Sequence, residues 1–173
     1  MHKETYPLML AAYKIQQVLK AAPVILGGEG LNFFLDSFKQ QGWLGDNGME
    51  KWPARKKGGK WGKVSRPNRA LLIDSGRLRR SVRIIRTGEM EVIYGSDVPY
   101  ARAHNEGLRL GIIQQVKSFN RKTKLGKTST VRAHTRRINQ RIPKRQFMGS
   151  STYLTKRLQR ILTAEFNRTL KTI

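Results

Sequence analysis

Cysteine is missing from this chain, which excludes a disulfide framework and a thiolate metal site and makes a reducing compartment the natural expectation. Histidine is scarce, limited to His2, His104 and His134. Acid is outnumbered by base, with 11 Asp and Glu against 35 Lys and Arg. Between Gly107 and Ala164 no acid occurs at all, while Lys and Arg appear 15 times. No apolar run approaches the roughly 20 residues that span a bilayer, and the opening MHKETYPLML lacks the layout of a secretory signal. The expectation is a soluble chain, cytoplasmic when made, with no membrane partner.

What remains is a chain of 173 residues, the size of one ordinary domain, with a formal net charge of +24 and 38% hydrophobic residues. Such an imbalance repels itself unless a polyanion or an acidic protein screens it, so the charge describes a partner more than a fold.

Apolar periodicity divides the chain. Residues 1–42 form a helical region in two parts. Leu8, Ala12, Ile15, Val18, Leu19 and Ala22 share one face of a helix that Pro23 should stop; after a break at Gly27 and Gly28, Leu31, Phe34, Leu35 and Phe38 define a second helix ending near Gly42, and the two should pack together. Residues 43–70 lack a steady period and read as an extended loop. Its Trp43, Trp52 and Trp61 act either as pegs into the domain or as part of a basic, aromatic nucleic-acid surface.

In residues 71–106, Asp74 or Ser75 can cap a short helical turn that faces Leu78 and Val82 inward and Arg77, Arg79 and Arg80 outward. SVRIIRTG and EMEVIYGSDV then read as a hairpin about Thr87, Gly88 and Glu89, with Val82, Ile84, Ile85, Val92, Ile93 and Tyr94 as sheet core, Pro99 as its end, and a short turn or helix leading into Gly107. Residues 107–142 suggest a long basic hairpin or a disordered loop. Residues 143–173 carry a last helix, capped by Ser150 or Ser151, with Leu154, Leu158, Ile161, Leu162, Phe166 and Leu170 on one stripe. The fold class is therefore α+β: a small, mainly antiparallel sheet between N-terminal and C-terminal amphipathic helices, in a single domain.

Catalytic groupings do not emerge. His104 and Glu106, two apart, are poorly placed to share a metal, and His134 sits among Arg132, Arg136 and Arg137, which would repel one. The acids are scattered, neither glycine-rich stretch matches a phosphate loop, and Ser75 lacks the Gly-x-Ser-x-Gly elbow. No enzyme, cofactor, metal or small-molecule substrate is expected.

Three ordered segments, LLIDSGRLRRSV, VIYGSDVPYARAHNEG and RIPKRQFMGSS, make the chain similar to the phage virion-morphogenesis family of tail-completion proteins over roughly residues 30 to 170. The matching positions are Ser75, Gly76, Leu78, Arg79 and Ser81; Tyr100, Ala101, His104 and Gly107; and Ile142, Pro143, Arg145, Phe147 and Gly149. Gln146 stands where the family pattern has proline, and the basic insertion between Gly107 and Ile142 departs from it. The resemblance implies a structural virion protein of the tail or neck, a homo-hexameric ring partnered by tail-tube and connector proteins, with the genome in its lumen. It makes His104 a structural residue, and Arg145 and Phe147 residues of the fold or an interface.

A ring repeats each subunit's charge around its axis. Lys117, Arg121, Lys122, Lys124, Lys127, Arg132, Arg136, Arg137 and Arg141 are thus expected to face DNA, without reading its sequence, or the acidic surface of an adjacent virion protein. The rival is a nucleic-acid-binding protein of ribosomal or nucleoid type, which rests on charge alone.

Overall fold

The computed structural model describes residues 5–55, 69–124 and 126–171; Trp61, His2 and Leu125 lie outside them. The described chain is α+β, with a long helix at one end, a second at the other and four small antiparallel ladders between.

Helix α1 runs unbroken from Thr5 to Gln40 with Pro23 inside it. The expected stop at Pro23 and break at Gly27 and Gly28 do not occur, so there are no two N-terminal helices to pack together. Pro23 removes one backbone donor without ending the helix. The glycines have a tertiary purpose: an added side-chain carbon on Gly27 would meet Val92 Cγ1 at 3.2 Å, and Gly30 leaves room for the Tyr94 ring. Tyr94 donates its hydroxyl proton to the Gly27 carbonyl at 3.1 Å. This uninterrupted helix is, by length and composition alone, long and apolar enough to cross a bilayer, a feature hidden when it is read as two. Its second half, however, supplies the buried Phe33, Phe34 and Phe38 of the core.

The helix closes on Gln41 in the left-handed region, φ 54°, whose side-chain amide bonds the Phe38 carbonyl and both backbone groups of Leu71. The segment read as a featureless loop then forms a hairpin, β1 (Gly42–Gly45) with β2 (Gly48–Lys51). Trp43 and Trp52 are buried pegs against Phe33, Phe34 and Phe38.

The corner helix α2 (Arg77–Ser81) buries Leu78, with buried Val82 following it, while Arg77 and Arg80 lie exposed. Ser75 Oγ accepts the Arg77 N–H at 3.3 Å, whereas Asp74 binds Arg69 at 2.8 Å and Gly76 occupies the cap position at φ 73°. Strands β3 (Arg83–Thr87) and β4 (Val92–Gly95) pair antiparallel with a bulge between Ile84 and Arg86. The bulge turns Ile85 outward, and strand alternation does the same to Ile93, so neither joins the core assigned to them. β4 ends at Gly95, before Pro99, which instead precedes helix α3 (Ala101–Glu106).

The basic segment is a ribbon. β5 (Leu108–Val116) pairs without interruption with β8 (His134–Ile142), and β6 (Phe119–Lys122) with β7 (Thr128–Val131) nearer the tip. Among the described residues no helix or sheet of the body packs on it beyond grazing contact. Helix α4 (Thr152–Leu170) returns along α1, capped by Ser151, whose hydroxyl oxygen faces the Leu154 N–H at 3.4 Å while its proton goes to the Leu44 carbonyl at 2.8 Å. Glu29 and Arg157 form an ion pair between the two helices.

Candidate functional site

The ribbon's two strands leave the body side by side, and the residues holding its base come from the two segments that flank it. The backbone N–H of Arg145 donates to the His104 carbonyl at 2.7 Å. Asn105 Oδ1 accepts the N–H groups of Phe147 at 2.9 Å and Met148 at 3.0 Å, and its Nδ2 donates to the Met148 carbonyl at 3.1 Å. One side chain thereby satisfies three backbone groups of a segment without regular structure, where each would otherwise lack a partner. Phe147 is completely buried and packs on Phe38 at 5.1 Å between ring centres. Trp52 Nε1 donates to the Gln146 carbonyl at 2.7 Å.

Arg145 is the buried charge of this base. Its Nε donates to the Pro53 carbonyl at 3.0 Å and its Nη2 lies 3.4 Å from that of Ala54. A guanidinium held only by carbonyls in a desolvated place has its pKa lowered by burial, and further by the neighbouring charge of Arg55. His104, packed edge-on to Tyr100, is likewise lowered, first by burial and then by Arg145. It therefore sits neutral in the fold.

Gly107, at φ 79° and ψ 155°, is the hinge into β5, and an added side-chain carbon there would come within 3.0 Å of the Lys144 nitrogen. Only glycine fits that angle without strain. Ser81 belongs to the corner instead: its buried hydroxyl donates to the Leu78 carbonyl at 2.7 Å and lies 2.6 Å from Ser96 Oγ.

Strand register sorts the ribbon's side chains, because directly paired residues share a face. Arg109, Ile113, Arg137, Asn139 and Arg141 fall on one face, with Arg109 paired directly opposite Arg141. Like charges so placed oppose the pairing. Among the candidate basic residues, only Arg137 and Arg141 are gathered here; Arg109, which completes the cluster, was not among them. Arg136 lies on the other face, donating to Gln114 at 2.9 Å. Lys117 and Arg132 flank the joint between the ladders, Arg121 and Lys122 point to opposite faces of β6, and Lys124 and Lys127 belong to the tip; all are exposed. Among the described residues no group of three or more His, Asp or Glu is placed to hold a metal ion.

The three motif segments thus form a corner, a turn and an irregular segment, of which the last two clamp the base of a ribbon with arginines along one face. The profile of the phage virion morphogenesis family matches residues 42–167, most of the chain and all three of those segments, and the chain belongs to that family. It is a phage structural protein associated with the virion. No curated protein and no solved structure matches it.

Proposed function

We propose that this protein completes the tail or joins tail to head at the neck, as a ring of identical copies, six by analogy with neck and tail-terminator proteins, around the path of the DNA. The observation that carries this reading is the face bearing Arg109, Arg137 and Arg141 on a projecting ribbon. Two arginines held opposite one another gain from any polyanion that approaches both. A ring sums those faces into a positive lumen that contacts phosphates without reading bases. A ribosomal or nucleoid role has less support, because the ribbon carries one aromatic residue, Phe119, and single-strand binders need a series of stacking platforms.

The test is reversal of Arg109, Arg137 and Arg141 to glutamate in the full chain. Weakened binding to duplex DNA together with a fall in infectious-particle yield is expected. Unchanged values of both would contradict the proposal.

A further inference from the structure

The ribbon's other face is apolar in the half nearer the body, while Gln114, Arg136 and His134 share that face further out. The register that gathers the arginines puts Leu108, Leu110, Ile112 and Val116 on the opposite side, with Ile138 and Ile142 of β8 among them and Ile112 paired directly to Ile138. Ile112 is 46% exposed, Leu108, Leu110, Val116, Ile138 and Ile142 are half-buried, and among the described residues no helix or strand of the body packs on that face beyond grazing contact. A two-stranded ribbon is marginal in water unless something supports one side of it, so this face calls for a partner.

The body offers a matching surface. Leu19, Pro23 and Leu26 of α1, Val92 of β4, Leu162 of α4 and the 84% exposed Met90 line a groove of about 180 Å³. Its rim carries Glu89 and Glu91, two of only 11 acids in the chain. Glu91 is paired with Arg86, while Glu89 forms no ion pair among the described residues. The groove is thus apolar at its floor and acidic at its edge, while the ribbon is apolar along its centre and basic at its far end, where Arg136 and the residues of the tip lie.

The ribbon does not fill the groove of its own body: among the described residues β5 and β8 make no more than grazing contact with α1, β4 and α4, the elements that line it. Ribbon and groove are different patches, so their contact is head-to-tail, the kind that closes into a ring when the rotation allows.

We infer that the apolar half of this ribbon face docks in the groove between α1 and the β3–β4 turn of a second copy, leaving the arginine face uncovered toward the lumen. This rests on the ring reading above and assigns the surface that makes the ring.

Because the chain has no native cysteine, the contact can be read by cross-linking. Full-length Ile112→Cys and Met90→Cys variants, differently tagged, are mixed over a concentration series, treated with a short bismaleimide, and followed alongside native mass measurement. The expected product is a covalent heterodimer in which the thiol introduced at position 112 of one chain type is joined to the thiol introduced at position 90 of the other, appearing as the oligomer forms. Glu89→Lys combined with Glu91→Lys should raise the dissociation constant at least tenfold. Three results overturn the docking: an oligomer that gives no heterodimer, one that gives only Ile112→Cys homodimers, or a chain that stays monomeric throughout. Complementation of phage particle yield by the wild-type chain is scored separately, so the ring contact can fail while the virion role stands.

Discussion

The backbone N–H of Arg145 lies 2.7 Å from the carbonyl oxygen of His104, so the segment just past the ribbon's end is tied to the helix just before its start. His104 and Arg145 are neighbours for a structural reason, and their charges conflict if both are protonated. His104 has a folded pKa below its ordinary value of 6.5, from burial first and from Arg145 second. The unfolded chain then binds more protons than the folded one as pH drops below 6.5, so stability is complete above that value and is lost progressively beneath it. The melting temperature should fall as the pH drops from about 6.5 to 5.5, and His104→Gln should flatten that dependence. An unchanged slope in the variant would remove His104 as its source.

Asn105 is the cheapest way to loosen the base. Asn105→Ala leaves the amides of Phe147 and Met148 without their acceptor, at a cost of about 2 kcal/mol. In a chain of this length that corresponds to a drop of about 4–8 °C in melting temperature. Hydrogen exchange should speed up at those two amides first. A loss spread evenly over the domain would argue against a local clamp.

Gly107 tests the hinge. Gly107→Ala places a side-chain carbon at φ 79°, ψ 155° and within 3.0 Å of the Lys144 nitrogen, a strain of about 1–3 kcal/mol. Gly126→Ala, also at positive φ but with open space around it, should cost less. Thermal unfolding of the two variants orders them.

The arginine face should show itself in salt dependence. Each phosphate contact contributes about 0.9 to the slope of log affinity against log salt on duplex DNA. Neutralising Arg109, Arg137 and Arg141 to glutamine should lower that slope by about 2 to 3, irrespective of DNA sequence. Binding measured across a salt series reads it directly.

The parts of the fold legible in the sequence are those set by local pattern. The α4 stripe, the Ser151 cap and the inward Leu78 and Val82 follow from period and capping chemistry. The unbroken α1 is hidden because Pro23, Gly27 and Gly28 read as a stop and a break, whereas the place of Val92 against Gly27 is a tertiary fact. β1 and β2 are four residues each, with glycines at three of eight positions, too short for alternation to register. The bulge at Ile85 moves one residue off the face that strict alternation assigns to it.

The site is readable only in part. The motif residues Gly107, Arg145 and Phe147 are singled out by the resemblance to the family pattern, but Asn105 is not, since a polar residue in a turn carries no mark of the two amides it will meet. Arg109 escapes sequence reasoning for a similar reason: its significance depends on Arg141 being opposite, and register across a ribbon is invisible until the strands are paired. The adjacent Ile112 and Ile113 also blur the alternation that separates the two faces.

The most direct test of the central claim, that copies of this chain are built into the particle at the tail or neck, is imaging of virions assembled with and without it. A symmetric ring of density at the end of the tail tube or between tail and capsid, present only when the chain is supplied, is expected. Particles that are the same in both cases, complete and infectious, would contradict it.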